Sequence, residues 1–149
     1  MKIESIQTLL IATTVALLGA MLSACAPLGP APNASLYQRL GGQDGVAKIV
    51  EETITTVAAD PRTNRSFQKV DMKRLKAKIA EQLCALTDGG CKYSGDNMKQ
   101  SHAGLNITEA EFYVMVQILR DVLDRRVGDR EKNELLKILA PMKRDIVTG

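Results

Sequence analysis

Gly89-Gly90-Cys91-Lys92-Tyr93-Ser94-Gly95-Asp96-Asn97-Met98-Lys99-Gln100-Ser101-His102 holds the only histidine of a 149-residue chain. The Gly-Gly pair after Asp88 breaks the chain. Beyond it, Met98, His102 and Leu105 are spaced four then three, so the imidazole shares a helical face with two apolar side chains. His102 is therefore expected to point toward a core and not toward water. Taken alone, a single histidine is more often a surface or satisfied core residue than a ligand.

The segments on either side read as helices. Ser35 and Gln38 have the spacing of a capping box, and Gly41-Gly42 stops a first short helix after Leu40. A second helix is expected from about Asp44 to Ala59, with Val46, Ile49, Val50, Thr53, Ile54 and Val57 on one face and Asp60-Pro61 as its end. After a polar loop holding Phe67, a third helix from Met72 to Leu86 carries Leu75, Ile79, Leu83 and Leu86 as its inner stripe. Past His102, Thr108 and Glu111 form another capping box, and Ile107 with Phe112 has the spacing of a hydrophobic staple. Phe112, Met115, Val116, Leu119, Val122 and Leu123 bury one side of that helix up to Gly128. Leu135, Leu139, Met142 and Ile146 mark a last helix, which Pro141 kinks or locally opens. No segment alternates with period two over a useful length, so no sheet is expected and the domain is all-α.

The N-terminus has a different composition. Thr8 to Leu22 is an uncharged apolar run of about 15 residues, below the ~20 of a spanning helix. With the small residues that follow, it reads as an export signal over residues 1–24. Leu22-Ser23-Ala24-Cys25 resembles the bacterial lipobox, which implies that Cys25 is lipidated and anchors the protein to a membrane. Ala26 follows in place of the aspartate of inner-membrane retention, which points to the periplasmic face of an outer membrane. Residues 25–34, with Pro27, Pro30 and Pro32 and no charge, read as a tether of about 28 Å or less. Residues 35–149 are left as one small domain.

The formal net charge is +3, a mild excess. Lys69, Lys73, Arg74, Lys76 and Lys78 cluster, but without interleaved aromatic residues and in an exported chain they read as a solvated helix face, not a nucleic-acid site. In an oxidising compartment Cys84 and Cys91 either form a bridge across the Gly89-Gly90 turn or stay as free thiols with Cys84 buried. A bridge over so short a loop is worth about 2–3 kcal/mol in the chain-entropy picture.

An inward imidazole on a short helix, facing an apolar stripe on another, is what a haem slot requires: one proximal nitrogen for the iron and two apolar walls for the porphyrin. A plain helical bundle accommodates the same residues, and on the residues alone it is the simpler reading.

The chain resembles the group I truncated haemoglobins over nearly the whole domain. Leu36-Tyr37-Gln38-Arg39-Leu40-Gly41-Gly42 matches the first turn. Tyr93-Ser94-Gly95 stands before Met98-Lys99-Gln100-Ser101-His102 at the family spacing, and Leu105-Asn106-Ile107-Thr108 leads to Phe112. The resemblance implies a shortened globin of two helices over two and a b-type haem held without covalent attachment. There is no Cys-x-x-Cys-His for c-type attachment. It implies His102 as proximal ligand, Phe67 against the haem face, Met98 on the proximal side and Lys78 reaching a propionate. Leu75, Ile79 and Leu83 would line the distal pocket or its access channel.

The departures matter most. Ile54 stands where many members place a distal tyrosine, with Thr53 before it, and Leu75 and Ile79 occupy the distal glutamine positions. Only Gln82, Thr53 or an ordered water is left to donate a hydrogen bond to a ligand. One extra residue between Cys84 and Gly89 predicts a reshaped turn. The expected function is reversible binding of oxygen, nitric oxide or carbon monoxide in an apolar pocket. The alternatives are a nitric oxide dioxygenase or peroxidase-like enzyme, and a haem-free interaction module. The sequence names no redox partner.

Overall fold

A computed structural model describes residue 31 and residues 33–149. The export signal, Cys25 and most of the tether lie outside the described residues. Ser35 caps α1 (Leu36–Arg39) through the reciprocal capping box with Gln38. Gly41 takes a left-handed backbone (φ +93°) that lets α2 (Gly42–Ala59) begin two residues before the expected Asp44. The buried residues of α2 are Val46, Ile49, Val50, Thr53, Ile54 and Val57, the six expected from the helical period. A 3-10 turn, Asn64–Phe67, leads to α3 (Met72–Leu86), whose N-cap Asp71 accepts from the Arg74 N–H.

The His102 region is one short turn, α4 (Met98–Ser101), with His102 as its C-cap. Then come α5 (Glu109–Arg126) and α6 (Asp129–Leu139). Pro141 opens the chain into a 3-10 turn, Ala140–Met142, before α7 (Lys143–Ile146), because its ring cannot continue the helical ladder. Among the described residues there is no strand, only a single parallel bridge between Ile107 and Val147. α2 packs on both α3 and α5, and α5 packs on α6. The result is two helices set over two.

The fully buried core belongs mainly to α2, α5 and α6: Ile49, Val46, Val122, Leu123 and Leu135 have almost no exposed surface. The inner stripe of α3 is covered unevenly. Leu83 is buried, while Leu75 and Ile79 pack on the core yet stay half-buried.

Cys84 and Cys91 form a disulfide with a Cα–Cα distance of 5.6 Å, which decides between the bridged and free-thiol alternatives. The bridge fixes the turn, in which Asp88 (φ +59°) and Gly90 (φ +79°) are both left-handed. Gly89 is required there, because a Cβ would come within 2.6 Å of the Cys84 sulfur and 2.7 Å of Tyr37. The bridge thus joins the end of α3 covalently to the strand of chain that leads to His102.

Candidate functional site

The stretch from Gly90 to Thr108 runs across the domain as a strap. Asn97 caps α4 by accepting from the Gln100 N–H, and the Gln100 side chain answers the Asn97 N–H. The Asn-x-x-Gln spacing is the sequence signal of this capping box. The one turn it stabilises ends at His102, whose Nδ1 lies 2.8 Å from the Met98 carbonyl oxygen. A carbonyl only accepts, so Nδ1 is the donor of this contact and Nε2 is the ring nitrogen left to serve as a ligand. No other described group takes up Nε2. A ring fixed in this tautomer by a backbone carbonyl is the arrangement that metal-ligating histidines use.

Met98 is half-buried and is joined to α3 by Gln82, whose amide nitrogen approaches the Met98 sulfur at 3.9 Å. Gln82, one of the three candidate distal donors, is therefore engaged with the strap. Thr53 is buried, and its hydroxyl has no partner among the described residues. Ile54 and Leu83 lie inside the packed core at 2% and 5% exposure, whereas Leu75, Ile79 and Phe67 lie at its edge, half-buried. Lys78 donates to Glu81 at 2.7 Å and to the Ser94 hydroxyl at 2.5 Å. Those contacts and the Ser94 hydrogen bonds hold the Glu81 carboxyl below its ordinary range. Lys78 would have to release one of these partners to reach a propionate.

A second tie, with no signal in the sequence, closes the other end of the strap. Arg65, in the 3-10 turn of Phe67, donates from Nε and Nη2 to the two carboxylate oxygens of Glu111 at 2.5 and 2.6 Å. It also donates to the backbone oxygens of Leu105 at 3.0 Å and Asn106 at 2.8 Å. Glu111 completes the Thr108 capping box as well, accepting from the Thr108 N–H at 2.9 Å. These donors, the Arg65 guanidinium first, lower the Glu111 pKa to about 2, so the carboxylate is charged throughout the neutral range.

The donor set fits an iron porphyrin. His102 offers one imidazole nitrogen, Leu75, Ile79 and Phe67 are apolar side chains left half-buried at the edge of the core, and Met98 and Leu105 are half-buried on the strap itself. A flat apolar group with one axial nitrogen ligand needs such a set. No cluster of three or more His, Cys, Asp or Glu that would hold a bare metal ion occurs among the described residues.

Comparison with known proteins agrees with this geometry. The family model described as bacterial-like globin matches residues 35–148. The group 1 truncated hemoglobin of Mycolicibacterium paratuberculosis is 35% identical over 117 residues, covering 78% of this chain and 86% of that one. The crystal structure of the truncated hemoglobin of Tetrahymena pyriformis in its Fe(III) form superposes with a TM-score of 0.72 at 27% identity, covering 77% of this chain and 99% of that chain. A 2/2 hemoglobin from a Synechococcus species, in the cyanomet state with covalently attached heme, gives a TM-score of 0.72 at 26% identity, covering 76% and 98%. With its helices set two over two, a single histidine on the strap and a family match across the whole domain, this chain belongs to the bacterial-like globins, among the group 1 truncated haemoglobins.

Proposed function

We propose that the domain holds a b-type haem through His102 Nε2 and reversibly binds small diatomic gases, oxygen, nitric oxide or carbon monoxide, in an apolar distal pocket. The observation that carries this reading is the Nδ1 hydrogen bond to Met98, which leaves Nε2 as the one imidazole donor in the chain. When bound, the haem supplies the iron at which a gas ligand sits. The chain's own residues do the rest. His102 is oriented by the Met98 carbonyl, Met98 supplies apolar surface on the proximal side, Phe67 would pack against the haem face, and Leu75 and Ile79 would line the distal side and exclude water. Ile54 replaces a distal hydroxyl with a methyl-bearing side chain, and Leu83 backs that wall. Lys78 would meet a propionate by giving up Glu81 or Ser94. The test is optical: the haem-loaded, reduced domain should give distinct and reversible spectra with carbon monoxide and with oxygen, and no ligand-dependent change would refute the reading.

The same domain is proposed to sit on a membrane through lipidated Cys25, at the periplasmic face of an outer membrane. Leu22-Ser23-Ala24-Cys25 and the Pro-rich tether support it. No helix among the described residues is long and apolar enough to cross a membrane. Cys25→Ser should shift the protein from the membrane fraction to the soluble fraction, and an unchanged distribution would sink the anchor.

A further inference from the structure

We infer that Arg65 is a positioning residue for His102: its guanidinium ties the turn that carries Phe67 to the C-terminal end of the His102 strap and so sets how the imidazole is presented. The inference rests on the haem reading above.

The strap has little regular structure to hold it. It contains one helical turn, and Gly104 (φ +75°) and Asn106 (φ +48°) are both left-handed. Before His102, the strap is held to α3 by the Cys91 disulfide, by Ser94 on Glu81 and Lys78, and by Met98 against Gln82. After His102, Arg65 takes Leu105 and Asn106, and the N–H groups of Thr148 and Gly149 donate to the Ile107 oxygen at 3.0 and 3.1 Å. His102 hangs between these two sets of ties.

Of the later ties, Arg65 is the one that joins the strap to the 3-10 turn carrying Phe67. It is also anchored to a rigid element, because Glu111 sits in the first turn of α5, where the helix dipole favours a negative charge. The fork geometry is specific to arginine: two donors meet the carboxylate side by side while two bonds run to backbone oxygens, which a lysine ammonium cannot reproduce. Arg62, three residues earlier, makes a similar fork with Asp60 but touches nothing on the strap. It provides a matched control.

The test compares Arg65→Met, Arg65→Lys and Arg62→Met in the full chain, with two readouts. In the haem-free protein, amide hydrogen exchange over Met98–Leu105 should rise about tenfold in Arg65→Met, be partly restored in Arg65→Lys, and stay at the wild-type rate in Arg62→Met. Exchange within α2 should not change. In the haem-loaded ferrous protein, the iron–histidine stretching band should shift, and haem transfer to an apoglobin acceptor should accelerate, in Arg65→Met only or most. Wild-type exchange across the strap would overturn the inference. So would a uniform rise that includes α2, or a loaded Arg65→Met with an unmoved stretching band. If the wild-type chain takes up no haem at all, the functional reading fails instead, and the exchange measurement alone decides whether Arg65 holds the strap.

Discussion

Replacing Ile54 with tyrosine should slow oxygen release from the haem-loaded domain by about five- to 150-fold, the equivalent of one hydrogen bond worth roughly 1–3 kcal/mol. Among the described residues the proposed distal side has no suitable donor. Ile54, Leu75 and Ile79 are apolar, and the Gln82 amide is turned to Met98. Thr53 does carry a buried, unpartnered hydroxyl, but it is held close to the α2 backbone and reaches much less far than a phenol. Wild-type release is therefore expected to be fast, with weak preference for oxygen over carbon monoxide. The substitution carries its own cost, because Ile54 is only 2% exposed and a larger ring overpacks the site by about 1–3 kcal/mol. Stopped-flow displacement of oxygen by carbon monoxide measures release independently of that stability cost. Equal release rates for the two proteins would mean that position 54 does not face the ligand, or that another donor already holds it.

The second large effect concerns the core and not the ligand. Leu123→Ala should lower the unfolding free energy by about 2–5 kcal/mol, measured by denaturant titration of the haem-free domain. Leu123 has no exposed surface and packs in the same cluster as Val122, Leu119 and Leu135. That cluster is complete without any bound group, so its loss is felt at once. Leu75→Ala should cost clearly less in the haem-free domain, because Leu75 is half-buried at the edge of the core. Its cost should grow once haem covers it. A Leu123→Ala loss below about 1 kcal/mol would mean that α5 and α6 are not the stability core described here.

The difference between these two leucines also explains what sequence reading reached. The face of α2 was fully legible, because a 3.6-residue period of six apolar or small residues has one packing solution and the fold adopts it. The Ser35 and Thr108 caps were legible because the bonding partner is three residues away. The apolar stripe of α3 was legible as a stripe, but its uneven covering was not, since that depends on what faces it across the domain. The disulfide stayed open because two cysteines seven residues apart are compatible with either state. Arg65 and Glu111 are 46 residues apart with no local pattern linking them, so their pairing emerges only when the 3-10 turn and the start of α5 are brought together by tertiary packing. The histidine itself was conspicuous by being alone, yet its tautomer required the Met98 carbonyl to be seen beside it.

The central claim is that His102 is the iron ligand of a haem protein, and the measurement that tests it most directly is an optical titration with haemin. The chain from Ala26 onward, in wild-type and His102→Ala forms, is titrated and its Soret band followed. Stoichiometric binding with a sharp band is expected in the wild type, and a changed or lost band in His102→Ala, with the helical content of the two proteins alike. Absence of saturable binding, or a variant whose spectrum matches the wild type, would contradict it and leave a helical domain that keeps the globin fold without its haem.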